Sequence, residues 1–375
     1  MIESIEIRNF RCFEHTRLSG FKRINLIGGK NNSGKTALLE ALYLNSSPAG
    51  NSVMFLIRLR GEYLKFIKAL PERAWNNFFF NQNKNEAAIL VSENEDKISD
   101  RLELSCDDAA KPFSRIIEEE EQNDEDMAES RDLVLNREYK RSELYLNRMV
   151  GDKRYPPSSM IAYAKGIAIK EAKLPDIREV KFVPASSRLS RATLAQEFDK
   201  ADLNGNADKV LEAIRIIDPS VVQIKTLNIG EPAVYLRREN QGFLPLTLFG
   251  EAMSKITDFV LRLVNTRKSI LLIDEIENGI HYSNQHSLWQ MLFRLSLEFD
   301  IQVFSTTHSL EMIQTFSDVG LESGIEDAGV YFELARNVRT GQITGIRHEL
   351  ETLDYAVKRK MGVRGEQRFN RREQK

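Results

Sequence analysis

Residues Gly29-Lys30-Asn31-Asn32-Ser33-Gly34-Lys35-Thr36 place two glycines, a lysine and a hydroxyl in the spacing G-x-x-x-x-G-K-[ST]. Glycines let consecutive amides curl into a concave nest that faces an anion. A helix opening at that point adds the positive end of its dipole to the same nest. Gly29, Asn31, Asn32, Ser33, Gly34, Lys35, Thr36 and Ala37 are therefore the expected phosphate-binding set, with ATP the expected ligand. Lys35 would reach the β- and γ-phosphates, and the Thr36 hydroxyl would ligand Mg²⁺. Far downstream, the apolar run Ser269-Ile270-Leu271-Leu272-Ile273 ends in Asp274 and Glu275. Asp274 would share the Mg²⁺ with Thr36, and Glu275 would orient or deprotonate water. A third run, Ile301 to Ser309, carries His308, which would donate to the γ-phosphate. Each motif also has a plainer reading: a glycine turn, a core strand capped by surface acids, and a structural histidine.

Positioning these residues requires a particular frame. Ile24-Asn25-Leu26-Ile27 reads as a short buried strand before the loop, and Ala37 to Leu42 as a helix after it. Continuous apolar runs of strand length are the mark of a parallel sheet covered on both faces, whose carboxyl edge carries ligands. The expected fold class is α/β, with a mainly parallel sheet and an inserted helical and meander lobe. Residues 1–48 and 175–345 form the split head, 49–174 the insertion, and 346–375 a C-terminal helix and basic tail. Within the insertion, Phe55 to Phe66 and Trp75 to Phe80 have helical periodicity, while Ala88-Ile89-Leu90-Val91 and Leu102-Glu103-Leu104-Ser105 alternate as strands do. The acidic run 118–126 reads as a solvated loop. Ser190 is placed to start a helix, and Val210 to Ile217 is amphipathic up to Asp218-Pro219.

Charge narrows the partners. With 53 Lys and Arg against 55 Asp and Glu, the net charge is −2, so a nucleic-acid contact would need a local patch. One candidate interleaves Arg137, Lys140, Arg141, Arg148, Lys153 and Arg154 with Tyr139, Tyr145 and Tyr155; it reads as a grip on nucleic acid or as a salt-bridged solvent face. Residues 358–375 form a basic tail with the same two readings. Cys12 and Cys106 are too few for a disulfide framework. No long apolar run or leader is present, so the expectation is a cytoplasmic protein without a membrane partner. His281 and His286 are five apart and do not share a helical face, which argues against a zinc site.

In this order and spacing, the elements resemble the ABC-type ATPase heads of the RecF, SMC and OLD group. Ile5-Glu6-Ile7-Arg8-Asn9-Phe10-Arg11-Cys12-Phe13 is similar to the opening strand of those heads, and Asp274 to His281 and Thr306 to Ser309 are similar to blocks of their compact AAA-type members. Pro184 to Ser190 is similar to a further stretch of that group. The resemblance implies ATP closed between two protomers of a homodimer or higher oligomer, with a signature loop given in trans by Gly250 and Glu251. Leu248 stands there where the group has a serine. It also implies Arg11 near the α-phosphate or the loop and His281 facing the partner protomer. No block of clustered acids like a TOPRIM nuclease follows His308, so the expectation is a head without its nuclease, acting on a separately encoded effector. The chain is similar in this respect to the ATPase subunits of phage anti-restriction-induced defence systems. A RecF-like DNA repair ATPase and a nucleotide-locked scaffold are the alternatives.

Overall fold

Three sheets organise the chain in a computed structural model that describes residues 1–62, 64–108, 141–172, 179–185, 189–322, 324, 326–337 and 339–364. The acidic run 118–126, Arg137, Tyr139, Lys140, Ser186 to Arg188 and the tail beyond 364 lie outside these residues.

The sheet that positions the chemistry has six strands. Val180–Val183, Ile270–Ile273, Gln302–Thr307, Ile24–Gly29 and Gly329–Arg336 run parallel in that spatial order, and Ile343–His348 closes the edge antiparallel. Strands Ile24–Gly29, Ile270–Ile273 and Gln302–Thr307 are buried at every residue because both faces are covered. Side chains alternate between two cores, as the pleat requires. Leu26, Leu271, Ile273 and Val303 enter one core with helices Glu251–Val264, Tyr282–Glu298 and Leu310–Glu322. Ile27, Ile270, Leu272 and Phe304 enter the other, against helix Lys35–Ser46.

Register then places the motifs. Ile27 pairs with Thr306, and Ile273 with Ser305, so Asp274 emerges one residue further on, level with Thr306 and beside the loop that follows Gly29. The central strand carries the phosphate loop, and both acidic and histidine loops leave the same sheet edge.

The second core is closed by an eight-stranded antiparallel sheet. Its first two strands, Ile2–Phe10 and Phe13–Ser19, are continued by Ala88–Asn94, Ser99–Asp107, Ser142–Val150, Ser158–Tyr163 and Gly166–Lys170 from the inserted segment, with the short Lys153–Arg154 paired to Ser142–Val150. The alternating stretches at 88 and 102 thus form strands, and they extend the sheet begun by the N-terminal residues. Helices Gly50–Leu59 and Leu64–Ala69 account for the first helical pattern of the insertion. Trp75 to Phe80 does not continue as a helix. It breaks into short 3₁₀ turns, because Phe79 makes a bridge to Phe10 and Asn81 and Gln82 take positive φ. Trp75 is fully buried, its indole N–H donating to the carbonyl of Ser142 at 3.1 Å.

Ser190 caps helix Arg191–Leu203 by accepting from the amide of Thr193. Helix Ala207–Ile217 and a three-stranded hairpin sheet, Val221–Ile229, Glu231–Arg238 and Phe243–Pro245, complete this part. No helix among the described residues is long and apolar enough to cross a membrane.

One buried amide joins the two large sheets. Gln302 accepts from the amide of Ile2 at 2.8 Å and donates to the carbonyls of Ile2 and Lys22 at 2.7 and 3.0 Å. An apolar side chain here would take this partner from the amide and carbonyl of Ile2, while the Lys22 carbonyl would keep Asn25 Nδ2 at 2.8 Å. Gln302→Leu is expected to lower the unfolding free energy by about 2–3 kcal/mol in urea titration; an unchanged midpoint would show that water replaces the clasp.

Candidate active site

The phosphate loop is shaped by contacts that exclude larger residues. A Cβ on Gly28 would meet the Tyr331 hydroxyl at 2.0 Å, and one on Gly29 would meet Ser33 Oγ at 2.5 Å. Gly34 takes φ 94 immediately before helix Lys35–Ser46, a left-handed conformation that costs glycine little. Lys35 folds back over the loop, its Nζ donating to the carbonyls of Gly29 and Lys30 at 2.8 and 2.9 Å. Burial pushes this ammonium below the usual lysine range, while Asp274, Glu275 and Glu277 act in the opposite direction. The buried hydroxyl of Ser33 has no hydrogen-bond partner.

Thr36 and Asp274 meet as the spacing predicts. The Thr36 hydroxyl lies 3.2 and 3.0 Å from the two carboxylate oxygens of Asp274. Burial raises the Asp274 carboxyl above the usual aspartate range, against hydrogen bonds from Thr306 and Thr36 that lower it. A hydroxyl and a carboxylate side by side are the hard oxygen donors that Mg²⁺ accepts alongside phosphate oxygens, so the residues fit that ion.

Glu275 follows with φ 49, and its Oε2 accepts from Asn278 Nδ2 at 2.7 Å. A cavity of about 650 Å³ joins Glu275 to the loop residues Asn31, Asn32, Gly34, Lys35, Thr36 and Ala37. Arg11, Cys12, Arg60, Glu62 and Asn77 also line it, with Cys12 Sγ close beside Gly34. The Arg11 guanidinium is buried against Glu40 at 2.7 Å and the Phe78 ring at 4.3 Å, and donates to the carbonyl of Asn77 at 2.8 Å. Burial lowers its pKa, with Glu40 opposing.

Other expected residues are not among those that line this cavity. His308 is half exposed; its Nδ1 lies 2.9 Å from Glu277, which also accepts from the amides of His308 and Ser309. Gly250, with φ 94, and Glu251 follow a 3₁₀ turn and do not line the cavity of their own chain; Glu251 packs on the Gly279 turn. His281 caps helix Tyr282–Glu298 through Ser283, and His286 pairs with Glu322. In the described part of the Arg-Tyr segment, Arg148 pairs with Asp100 at 2.7 Å and lies over Tyr155.

Sequence reasoning did not single out Arg60, Glu62, Asn77, Glu40, Glu277 or Thr306 for the site. Arg60, Glu62 and Asn77 come from the insertion, where no motif marks them. Glu40 is a fully buried carboxylate in an apolar helix face, and that incongruity was a readable signal.

Residues 24–313 match the family described as "AAA domain, putative AbiEii toxin, Type IV TA system". The chain is 25% identical over 339 residues to a Helicobacter pylori protein named "ATP/GTP phosphatase", covering 85% of this chain and 88% of that one. A Nitrosococcus oceani protein named "DNA replication and repair protein RecF" is 49% identical over 43 residues, 12% of each chain. Among solved structures, the SMC head domain from Thermotoga maritima covers 93% of this chain and 99% of its own at 12% identity, with a TM-score of 0.45.

Burial of the Asp274 carboxyl gives a test with a definite sign. A carboxyl whose pKa is raised on folding lowers stability once pH exceeds its unfolded pKa, and the cost grows until the raised value is passed. Asp274→Asn is expected to melt above wild type near neutral pH, with the gap closing as pH falls through the acid range. Thermal unfolding across pH checks this; an asparagine variant that melts lower at neutral pH would contradict it.

Proposed function

From a chain that belongs to the AAA-domain family matched over residues 24–313, we propose an ATP-driven switch that controls a separate effector. The chain is an ATPase. The observation that carries the reading is the meeting of Thr36 with Asp274, which unites phosphate loop and acidic strand in one site.

In this mechanism the amides of residues 29–37 and the ammonium of Lys35 bind the β- and γ-phosphates. Lys35 would leave the carbonyls of Gly29 and Lys30 for phosphate oxygens, exchanging neutral acceptors for charged ones. Thr36 and Asp274 would hold Mg²⁺, which supplies neutralisation of the charge on the phosphate oxygens. Asn278 fixes one oxygen of Glu275, and the other carboxylate oxygen takes a proton from the attacking water. Glu277 orients His308 through Nδ1, leaving Nε2 for the γ-phosphate. Arg11, which lines the cavity, balances the α-phosphate together with Arg60.

Hydrolysis would be coupled to a second copy of the chain, whose Gly250 and Glu251 would close on the nucleotide. Neither residue is among those lining the cavity of its own chain, which supports a contribution in trans. We favour a place in anti-phage defence, with a nuclease or toxin held in check until a viral trigger arrives. The support is the likeness of the acidic and histidine blocks to compact AAA-type members of the RecF, SMC and OLD group, together with the family match. The short stretch shared with a RecF protein favours DNA repair as the second reading. DNA that stimulates turnover in a salt-sensitive way would select it. A chain that keeps ATP through purification without turning it over would select a scaffold instead.

Removing the base separates binding from chemistry. Glu275→Gln is expected to cut ATP turnover by about a hundredfold or more while nucleotide affinity stays within about twofold. Lys35→Ala should lose binding itself. Unchanged turnover in Glu275→Gln, measured by phosphate release, would remove Glu275 as the base.

A further inference from the structure

Thr306 is the joint between the two carboxylates. It sits fully buried at the end of strand Gln302–Thr307. Its hydroxyl donates to Oδ1 of Asp274 at 2.6 Å and accepts the amide of Glu275 at 2.8 Å. Its carbonyl accepts the amide of Ile276 at 3.0 Å. A threonine hydroxyl has one proton and two lone pairs. Here the proton is committed to one acid and a lone pair to the backbone of the next.

Both commitments bear on geometry. Glu275 holds φ 49, a left-handed conformation that non-glycine residues seldom adopt. Such a conformation persists where neighbouring bonds over-determine it, and the bonds to the amides of Glu275 and Ile276 do so here. At Asp274, Thr306 engages Oδ1, while the Thr36 hydroxyl lies nearer Oδ2, at 3.0 Å against 3.2 Å. Holding one oxygen turns the other toward Thr36.

We propose that Thr306 is a positioning residue for hydrolysis, its hydroxyl setting which oxygen of Asp274 faces Thr36 and holding the backbone that aims Glu275. It acts through these two residues and contacts neither phosphate nor water. The inference rests on the ATPase reading above. A packing role alone would belong to the methyl and Cβ, which valine keeps; the positioning role belongs to the hydroxyl, which serine keeps.

The pair Thr306→Val and Thr306→Ser separates the two. In full-length protein, Thr306→Val is expected to lower kcat by about ten- to a hundredfold and to raise the Mg²⁺ concentration for half-maximal turnover by about tenfold. Binding of a fluorescent ATP analogue in excess EDTA should stay within about twofold. Thr306→Ser should recover most of kcat and of the Mg²⁺ response. Hydrogen exchange gives a readout without nucleotide: the Glu275 amide should be protected in wild type and Thr306→Ser and exposed in Thr306→Val. Turnover of Thr306→Val equal to wild type overturns the assignment, as does a serine variant as impaired as valine. If Thr306→Val does not fold, an unprotected Glu275 amide in wild type overturns it and protection in wild type and serine supports it. Wild-type protein that binds ATP with Mg²⁺ and never hydrolyses it would defeat the ATPase reading instead.

Discussion

A hydroxyl and a carboxylate 238 residues apart in sequence, Thr36 and Asp274, meet within hydrogen-bond distance, and the site depends on that meeting. Neither group has a reason to be there on grounds of stability. A carboxylate at this depth loses hydration, and its pKa rises accordingly. The fold bears that cost because parallel register delivers the ends of strands Ile24–Gly29, Ile270–Ile273 and Gln302–Thr307 to one edge. Ligands in open α/β sheets gather at such edges for the same reason.

Rigidity around the contact comes from the two cores. One packs the sheet against three long helices and the other against helix Lys35–Ser46 and the antiparallel sheet. The loop helix is thus held from both ends: its N-terminus by glycines that admit Tyr331 and Ser33, its body by Leu38, Leu39 and Leu42. Glu40 on that helix pairs with Arg11 and Arg60, so these two cavity-lining arginines are tied to the element that carries Lys35 and Thr36. Movement of either would be felt by the other.

Much of this was legible in the residues. The phosphate loop and the two apolar runs ending in Asp274 and in Thr307-His308 are local patterns, and local patterns survive folding intact. Ser190 as a cap and the helix ending at Ile217 were legible for the same reason. What was hidden is long-range. Alternation in Ala88–Asn94 announces a strand but does not name Ile2–Phe10 as its partner. Nor does any spacing place Arg60, Glu62 and Asn77 in the same cavity as the loop. Trp75 to Phe80 misled because burial of Trp75 and Phe78 imitates a helical face, whereas tertiary contacts with Phe10 and Ser142 decide the backbone. Thr306 was read only as part of a strand, since its value lies in what it touches.

The direct test of the shared ion is a double-mutant cycle on Thr36→Val and Asp274→Asn, with the Mg²⁺ dependence of ATP binding as the measured quantity. If one Mg²⁺ bridges both side chains, the second substitution should cost little once the first is made, and the losses should be far from additive. Losses that add in full would mean that the two residues act independently, and would contradict a single metal site at this edge of the sheet.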